Sequence, residues 1–312
     1  MITSVAELVG AHYAIDPVTR SDAMSDNVVR VTTAAGEFAV KLFPTAEVNL
    51  AEREAALLAH LAGGDSRYRV QEIVATSAGK VCLVTPLGAV LVTRWVHGLK
   101  KTFTDIVKPE WRALGAELAA LHLRLDTFST PLPCLTEHVV DLVAERARIA
   151  ADLGRAPAYT YYLDACRELL DRFAPTALAT PPGPERPIHN DYNQHNYLFH
   201  DRLPPTILDW EGAIAAPREY EVVRCMNHLP LVARPHAAAF VAGYRSVREL
   251  DPSTVRWAVA RAFVDHAIKG WPLEHWLAGV PGAEARLSGS VAILLALHAR
   301  AGEIEDFYGV MR

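Results

Sequence analysis

A chain of 312 residues, 51% hydrophobic and 21% charged, has the composition of an ordinary folded protein, which excludes intrinsic disorder, a collagen-like repeat and a low-complexity tail. Its 31 Lys and Arg against 36 Asp and Glu leave a net charge of −5, so there is no global basic excess to hold a nucleic-acid backbone. At roughly 150 residues per domain the length corresponds to about two domains. Cys82, Cys134, Cys166 and Cys225 lie far apart without C-x-x-C spacing, which argues against a zinc knuckle or disulfide framework and for free buried thiols. The N-terminus lacks the basic stretch of a signal peptide. Apolar runs such as Val291 to Leu297 are far shorter than the ~18 residues of a spanning helix. The expectation is a soluble, cytoplasmic protein.

In chain order, Val28 to Thr33 and Glu37 to Phe43 are β-rich and flank Ala34-Ala35-Gly36, the pattern of a hairpin. A helix is predicted from about Leu50 to Leu61. Two more β-rich stretches, near Val81 to Thr85 and Val90 to Val96, flank the turn signal Pro86-Leu87-Gly88. From about Pro109, suited to a first helical turn, the chain turns helical: Leu114, Leu118, Leu121 and Leu125 recur at helical spacing. Helices are predicted near Leu135 to Asp152 and Tyr161 to Phe173, and again from Arg218 to the end. Two short β-like pieces, Tyr197-Leu198-Phe199 and Thr206-Ile207-Leu208, interrupt this half. The chain is thus divided at residues 1–97 and 98–312: a small β-rich N-terminal lobe, and a larger helical lobe carrying the polar loop described next.

Between those pieces lies the polar loop Ile188-His189-Asn190-Asp191-Tyr192-Asn193-Gln194-His195-Asn196, followed by Leu208-Asp209-Trp210-Glu211. A polar loop on rigid flanks is a usual place for a site. His189, Asp191 and Asn196 fit H-x-D-x-x-x-x-N, and Asp209 follows an apolar strand, where a metal-binding Asp would stand in phosphoryl-transfer enzymes. That chemistry needs a carboxylate to accept a hydroxyl proton and hard oxygen ligands for Mg²⁺. Asp191 is assigned to the first task, with His189 beside it in the catalytic motif. Asn196 and Asp209 are assigned to the metal. The competing reading, that Asp191 and Asn196 only stabilise a turn, weakens when the whole constellation is taken together.

The N-terminal half supplies the matching parts. Phe38-Ala39-Val40-Lys41 resembles V-A-I-K. In a strand Ala39 and Lys41 share one face, opposite Phe38, Val40 and Leu42, so Ala39 leaves room for an adenine beside Lys41. Asn49 and Glu52 form a capping-box pattern. Glu54 falls inside the apolar face of Leu50, Leu57, Leu58 and Leu61, where a carboxylate needs a partner; Lys41 is the candidate, the alternative being a rim position open to water.

These segments together resemble the aminoglycoside phosphotransferase and choline kinase-like superfamily, which shares the protein-kinase fold. Arg53-Glu54-Ala55-Ala56-Leu57-Leu58, Trp95-Val96-His97-Gly98, Leu114 to His122, His189 to Asn196, and Leu208 to Glu211 carry the resemblance. It implies an α+β, protein-kinase-like bilobal fold and transfer of the γ-phosphate of ATP to a hydroxyl of a small molecule, an amino-containing metabolite or antibiotic. It implies ATP and Mg²⁺ as cofactors, with adenine at the backbone of Arg94 to Val96 and Lys41, held by Glu54, at the phosphates. Two features depart from the family. Asn190 stands where the family has Gly, which matters only if that position needs a positive φ, and Asn tolerates one. No Gly-rich phosphate loop is present; Ser21 to Asn27 takes its place, with Ser25 offering a donor. The absence of D-F-G and A-P-E segments argues against a protein kinase, and a non-catalytic nucleotide-binding protein remains the alternative.

Weaker signals are His189, His195 and His200, which lack zinc-ligand spacing, and Glu211, a candidate second metal or substrate contact for which the favoured reading is a strand end with a salt bridge to Arg218. Asp265, His266, Lys269, Trp271, Glu274 and Trp276 are read as an amphipathic helix and turn rather than a substrate pocket.

Overall fold

The computed structural model describes residues 2–15, 17–63, 66–201, 204–226 and 233–309. The chain forms two compact units, one of residues 1–106, 113–132 and 187–214, the other of 107–112, 133–186 and 215–312.

The first unit opens with helix α1 (Ile2–His12), then strands β1 (Arg20–Ala23), β2 (Val28–Thr33) and β3 (Gly36–Phe43), helix α2 (Val48–Leu61), and strands β4 (Arg69–Val70), β5 (Leu83–Thr85) and β6 (Gly88–Arg94). Most of helix α3 (Lys108–Leu125) follows, and strands β8 (Tyr197–Leu198) and β9 (Thr206–Ile207) complete it. Strands β7 (Arg186–Ile188) and β10 (Ile214–Ala216) lie where the chain passes between units. Strands β1-β2-β3-β6-β5 make an antiparallel sheet, and β4-β9-β8 a smaller mixed one.

The predicted hairpin forms in register, with Thr33 opposite Gly36 and Val28 opposite Lys41. The strand period of two sorts its side chains. Val29, Val31, Phe38 and Val40 are buried against Val5 and Val9 of α1 and Tyr13 just after it, while Ala39 and Lys41 face the other way, into a cavity. Burying a side chain of this size contributes about 2 kcal/mol, which is what holds α1 to the sheet. Neither α1 nor β1 was expected from the sequence. In α1, among the described side chains, Val5, Leu8 and Val9 mark the buried stripe; β1 reads Arg-Ser-Asp-Ala, without a large apolar residue, and is an edge strand.

Two predicted boundaries change. Helix α2 begins at Val48 after a 3-10 turn at Thr45–Glu47 and has no side-chain cap, so Asn49 and Glu52 are interior residues rather than a capping box. The helix expected from Leu135 is a 3-10 turn, Leu135–Glu137, then a break, then α4 (Leu142–Arg155). Asp141 sets its start, accepting from the N–H groups of Val143 at 2.9 Å and Ala144 at 3.1 Å, as an N-cap does; β-branched Val139 and Val140 precede it.

The second unit is helical: α4, α5 (Thr160–Ala177), α6 (Arg218–Met226), α7 (Arg234–Arg245), α8 (Pro252–Ala267), α9 (Trp271–Leu277), α10 (Ala283–Ala299) and α11 (Ala301–Gly309). Residues 227–232 and 310–312 of the expected helical run lie outside the described residues. Helices α5 and α8 form its centre, with Phe173 stacked on Phe263 at 4.4 Å between ring centroids. In the polar cluster near α8, Asp265 accepts from Tyr220 Oη at 2.6 Å and Arg261 Nε at 2.9 Å. Cys82, Cys134, Cys166 and Cys225 are free thiols, and all but Cys134 are buried. Among the described residues no single helix is long and apolar enough to cross a membrane.

Candidate active site

The first unit contains a cavity of about 520 Å³ lined by Ser25, Ala39, Lys41, Glu54, Arg94, Val96, Asn196 and Asp209 among others. Every residue assigned above to nucleotide or metal therefore borders one space. Asp191 and His189 do not line it. Asp191 is exposed and His189 is buried.

Lys41 is the centre of the arrangement. Its Nζ lies 2.9 Å from Glu54 Oε2, 2.6 Å from Asp209 Oδ1 and 2.8 Å from Glu211 Oε2. Helix α2 places Glu54, strand β3 places Lys41, and the turn after β9 places the two acids. Glu54 is 2% exposed, so it is not at a rim. Burial opposes the charge on Lys41, but the three carboxylates outweigh it and hold the ammonium well above its usual pKa. Burial raises the Glu54 carboxyl, and Lys41 pulls it back. Glu211, expected to pair with Arg218, has its carboxylate on Lys41 instead; the turn at Trp210, whose side chain is fully buried, brings it there.

The polar loop is held by its own amides. Asp191 Oδ1 accepts from Asn193 Nδ2 at 2.7 Å, and Oδ2 accepts from Asn196 Nδ2 at 2.8 Å. The carboxylate is thereby fixed in direction while one face stays open. Leu208 N–H donates to the Asn196 carbonyl at 2.9 Å, which sets Asn196 beside the strand leading to Asp209. Asn193 was not singled out from the sequence; its only signal was being an amide inside the loop.

Among the described residues, the non-glycine residues with positive φ are Asn190 (68°) and Asp209 (65°). The position where Asn replaces Gly does require the left-handed region, and Asn190 Nδ2 also donates to the Gly212 carbonyl at 3.0 Å. Such conformations cost of order 1 kcal/mol each and gather at functional sites. Gly98 serves differently: a Cβ there would stand 2.8 Å from Leu198 Cβ, so only glycine permits this close approach.

Behind the loop the groups are neutral. His189 Nε2 lies 2.8 Å from the Leu208 carbonyl, and its Nδ1 accepts the Asp191 N–H at 3.2 Å. That pattern assigns the Nε2–H tautomer. Burial lowers the imidazole pKa, against the Leu208 carbonyl and nearby carboxylates. His189, grouped with the catalytic residues in the sequence, therefore has the place of a positioning residue. Glu117 of α3 is 1% exposed, and its Oε1 accepts the Arg69 N–H at 3.3 Å. Burial holds its carboxyl well above the usual range, against hydrogen bonds from Arg69 and Tyr192. Tyr192 Oη donates to the Leu114 carbonyl at 3.0 Å, anchoring the residue next to Asp191.

At the other end of the cavity the backbone of Arg94 to Val96 is partly committed. Arg94 N–H donates to Glu72 and Trp95 N–H to Glu37, at 2.8 and 2.9 Å, leaving the N–H and C=O of Val96 without partners among the described residues. Ser25 Oγ donates to Asn27 Oδ1 at 3.0 Å and accepts Val28 N–H at 3.1 Å, shaping the β1–β2 turn that borders the cavity.

The donor set fits a divalent cation. Oxygens of Glu54, Asp209 and Glu211 lie within 4.8 Å of one another, and a single ammonium leaves them in excess. Asn196 Oδ1 has no donor among the described residues, its amide nitrogen being committed to Asp191. Carboxylate and amide oxygens are the ligands Mg²⁺ selects.

The sequence profile of a phosphotransferase enzyme family matches residues 18–257. No curated protein matches significantly. Among solved structures the chain is similar to a spectinomycin phosphotransferase complexed with ADP and spectinomycin, with TM-score 0.66 at 17% identity over 97% of this chain and 99% of that one. It is similar to an aminoglycoside phosphotransferase from Alicyclobacillus acidocaldarius, with TM-score 0.64 at 17% identity over 98% and 95%. A microcompartment-associated aminopropanol kinase gives TM-score 0.66 at 17% identity, covering 98% of both chains.

Proposed function

The chain belongs to the phosphotransferase enzyme family, and from that premise we propose that it moves the γ-phosphate of ATP to a hydroxyl of an amino-containing small molecule. The observation that carries the reading is the Lys41 ammonium, within 2.9 Å of three carboxylates on a nucleotide-sized cavity. The relatives' names, which include spectinomycin and aminopropanol, support the acceptor class.

In this reading Val96 binds the adenine edge through its free N–H and C=O, beside Ala39. Lys41, oriented by Glu54, holds phosphate oxygens. Asn196 and Asp209, joined by Glu211, are the residues that hold Mg²⁺, which neutralises phosphate charge when bound. Asp191, pinned by Asn193 and Asn196, orients the acceptor hydroxyl and takes its proton as the oxygen bonds to phosphorus; ADP leaves with the bridging oxygen. His189 keeps Asp191 and the strand before Asp209 in register through its two ring nitrogens. Most of the rate comes from positioning and charge neutralisation.

The test is incubation with Mg-ATP and a panel of amino alcohols and aminocyclitol or aminoglycoside antibiotics, followed by mass spectrometry. One acceptor should gain a phosphate, and Asp191→Ala should lose that activity while keeping its fold. Unchanged turnover in Asp191→Ala would remove this mechanism.

A further inference from the structure

Gln71 borders the same cavity, and no step above uses it. It follows β4 and begins a segment that pairs alongside β6, with Arg94 N–H donating to Glu72 and Val74 N–H donating to the Val92 carbonyl, both at 2.8 Å. The Ile73–Thr93 bridge fixes this register. Gln71 Nε2 donates to Thr93 Oγ1 at 3.4 Å, and Thr93 is 3% exposed. Gln71 Oε1 is buried and has no hydrogen-bond partner among the described residues. An unsatisfied buried carbonyl of this kind costs roughly 1–3 kcal/mol, and native structures seldom carry one without a reason.

The position gives a reason. Thr93 is three residues before Val96, and on the neighbouring strand it pairs with Ala39. Val96, Ala39 and Gln71 border one space. A purine that reaches the free N–H and C=O of Val96 turns its six-position towards the sheet. Adenine carries there an amino group with two protons. One suffices for a backbone carbonyl, and the other needs an acceptor. Guanine and hypoxanthine carry a carbonyl at that position, which would face Gln71 Oε1 acceptor to acceptor.

We infer that Gln71 selects the base of the donor nucleotide, its Oε1 accepting from the six-amino group of adenine and rejecting six-oxo purines. Thr93 is the positioning residue that holds the amide nitrogen away from the base. The inference rests on the nucleotide reading of the cavity and adds to it the residue that sets the base.

Titration calorimetry with ADP, IDP and GDP in the presence of Mg²⁺ tests it on the intact protein. IDP differs from ADP only in its six-oxo group and the proton on N1. The wild type should bind ADP about 10-fold or more tighter than IDP, a discrimination of the size a lost hydrogen bond gives when a buried polar group is left unpaired. Gln71→Met should weaken ADP and leave IDP unchanged or tighter, lowering the ADP-over-IDP ratio by about 3-fold or more; the preference that remains comes from N1, which accepts the Val96 N–H in adenine and carries a proton in hypoxanthine. Thr93→Val should lower the ratio by a smaller factor. Thermal midpoints of both variants identify any loss of fold, and the ratio is a readout that a merely structural role would leave unmoved. A ratio unaltered in Gln71→Met, or a wild type that prefers IDP or GDP, would overturn the assignment while leaving nucleotide binding intact. Failure of all three to bind the wild type would remove the nucleotide reading itself and the base assignment with it.

Discussion

On the cavity side of the first unit, Lys41 keeps its charge among Glu54, Asp209 and Glu211. Behind the polar loop, His189 and Glu117 are buried as neutral groups held by hydrogen bonds to uncharged partners. Glu54 is as withdrawn from water as His189 and Glu117, and Lys41 nearly so, while Asp209 and Glu211 keep an exposed side towards the cavity. The difference is the company: a buried charge persists where an opposite charge lies within hydrogen-bond distance, and gives way to the neutral form where only dipoles surround it. The cavity side can therefore meet a polyanion and its cation. The layer behind can only hold the loop still.

Variants that break the charged side should have the largest effect. Asp191→Ala and Asp209→Ala should each lower kcat by about 10³-fold or more, the scale of losing a general base or charge-stabilising group, with circular dichroism unchanged. Lys41→Met should be next. It leaves Glu54 buried without its cation, which costs about 3 kcal/mol at neutral pH, the low end for a broken buried pair, because Glu54 can take a proton instead. Urea unfolding should show a smaller loss at pH 5, where that proton is nearly free.

On the neutral side the effects should be smaller and opposite in pH sense. The His189 pKa is lowered on folding, so the unfolded chain binds the extra proton. Its contribution is complete above pH 6.5 and is lost as pH falls below that value. Stability should drop by up to about 1.4 kcal/mol per pH unit over that window, and His189→Gln should flatten the slope there. The Glu117 pKa is raised, so its sign is reversed: the folded state is favoured below pH 4.5 and disfavoured as pH rises. Glu117→Gln, which mimics the protonated acid, should leave stability at pH 8 unchanged or raise it slightly. A clear loss in that variant would mean that Glu117 is charged, and the contrast between the two sides would fail.

The charged side was legible in the sequence because each member sits in a recognisable local pattern: Lys41 in a β-rich run, Glu54 inside an apolar helical stripe, and Asp191, Asn196 and Asp209 at fixed spacing. Glu211 was read as a candidate metal contact, with a salt bridge to Arg218 preferred; the partner it has, Lys41, is 170 residues away in sequence and depends on how the turn at Trp210 folds. The neutral layer was not legible. His189 belongs to the motif, yet only burial and the Leu208 carbonyl assign it a positioning place. Glu117 lay within the recognised helix motif and carried no sign that it would be buried without a cation. The first-unit sheet was read strand by strand, apart from β1. Helix α1 was missed because so short a stripe acquires meaning only against the sheet it covers.

Mg²⁺ dependence of ADP binding to wild type and Asp209→Asn tests the central claim without knowing the acceptor. If Lys41 and the converging carboxylates form a nucleotide-metal site, Mg²⁺ should tighten ADP binding to the wild type several-fold and have little effect on Asp209→Asn. ADP binding that is absent from the wild type, or strengthened equally by Mg²⁺ in both proteins, would contradict the account.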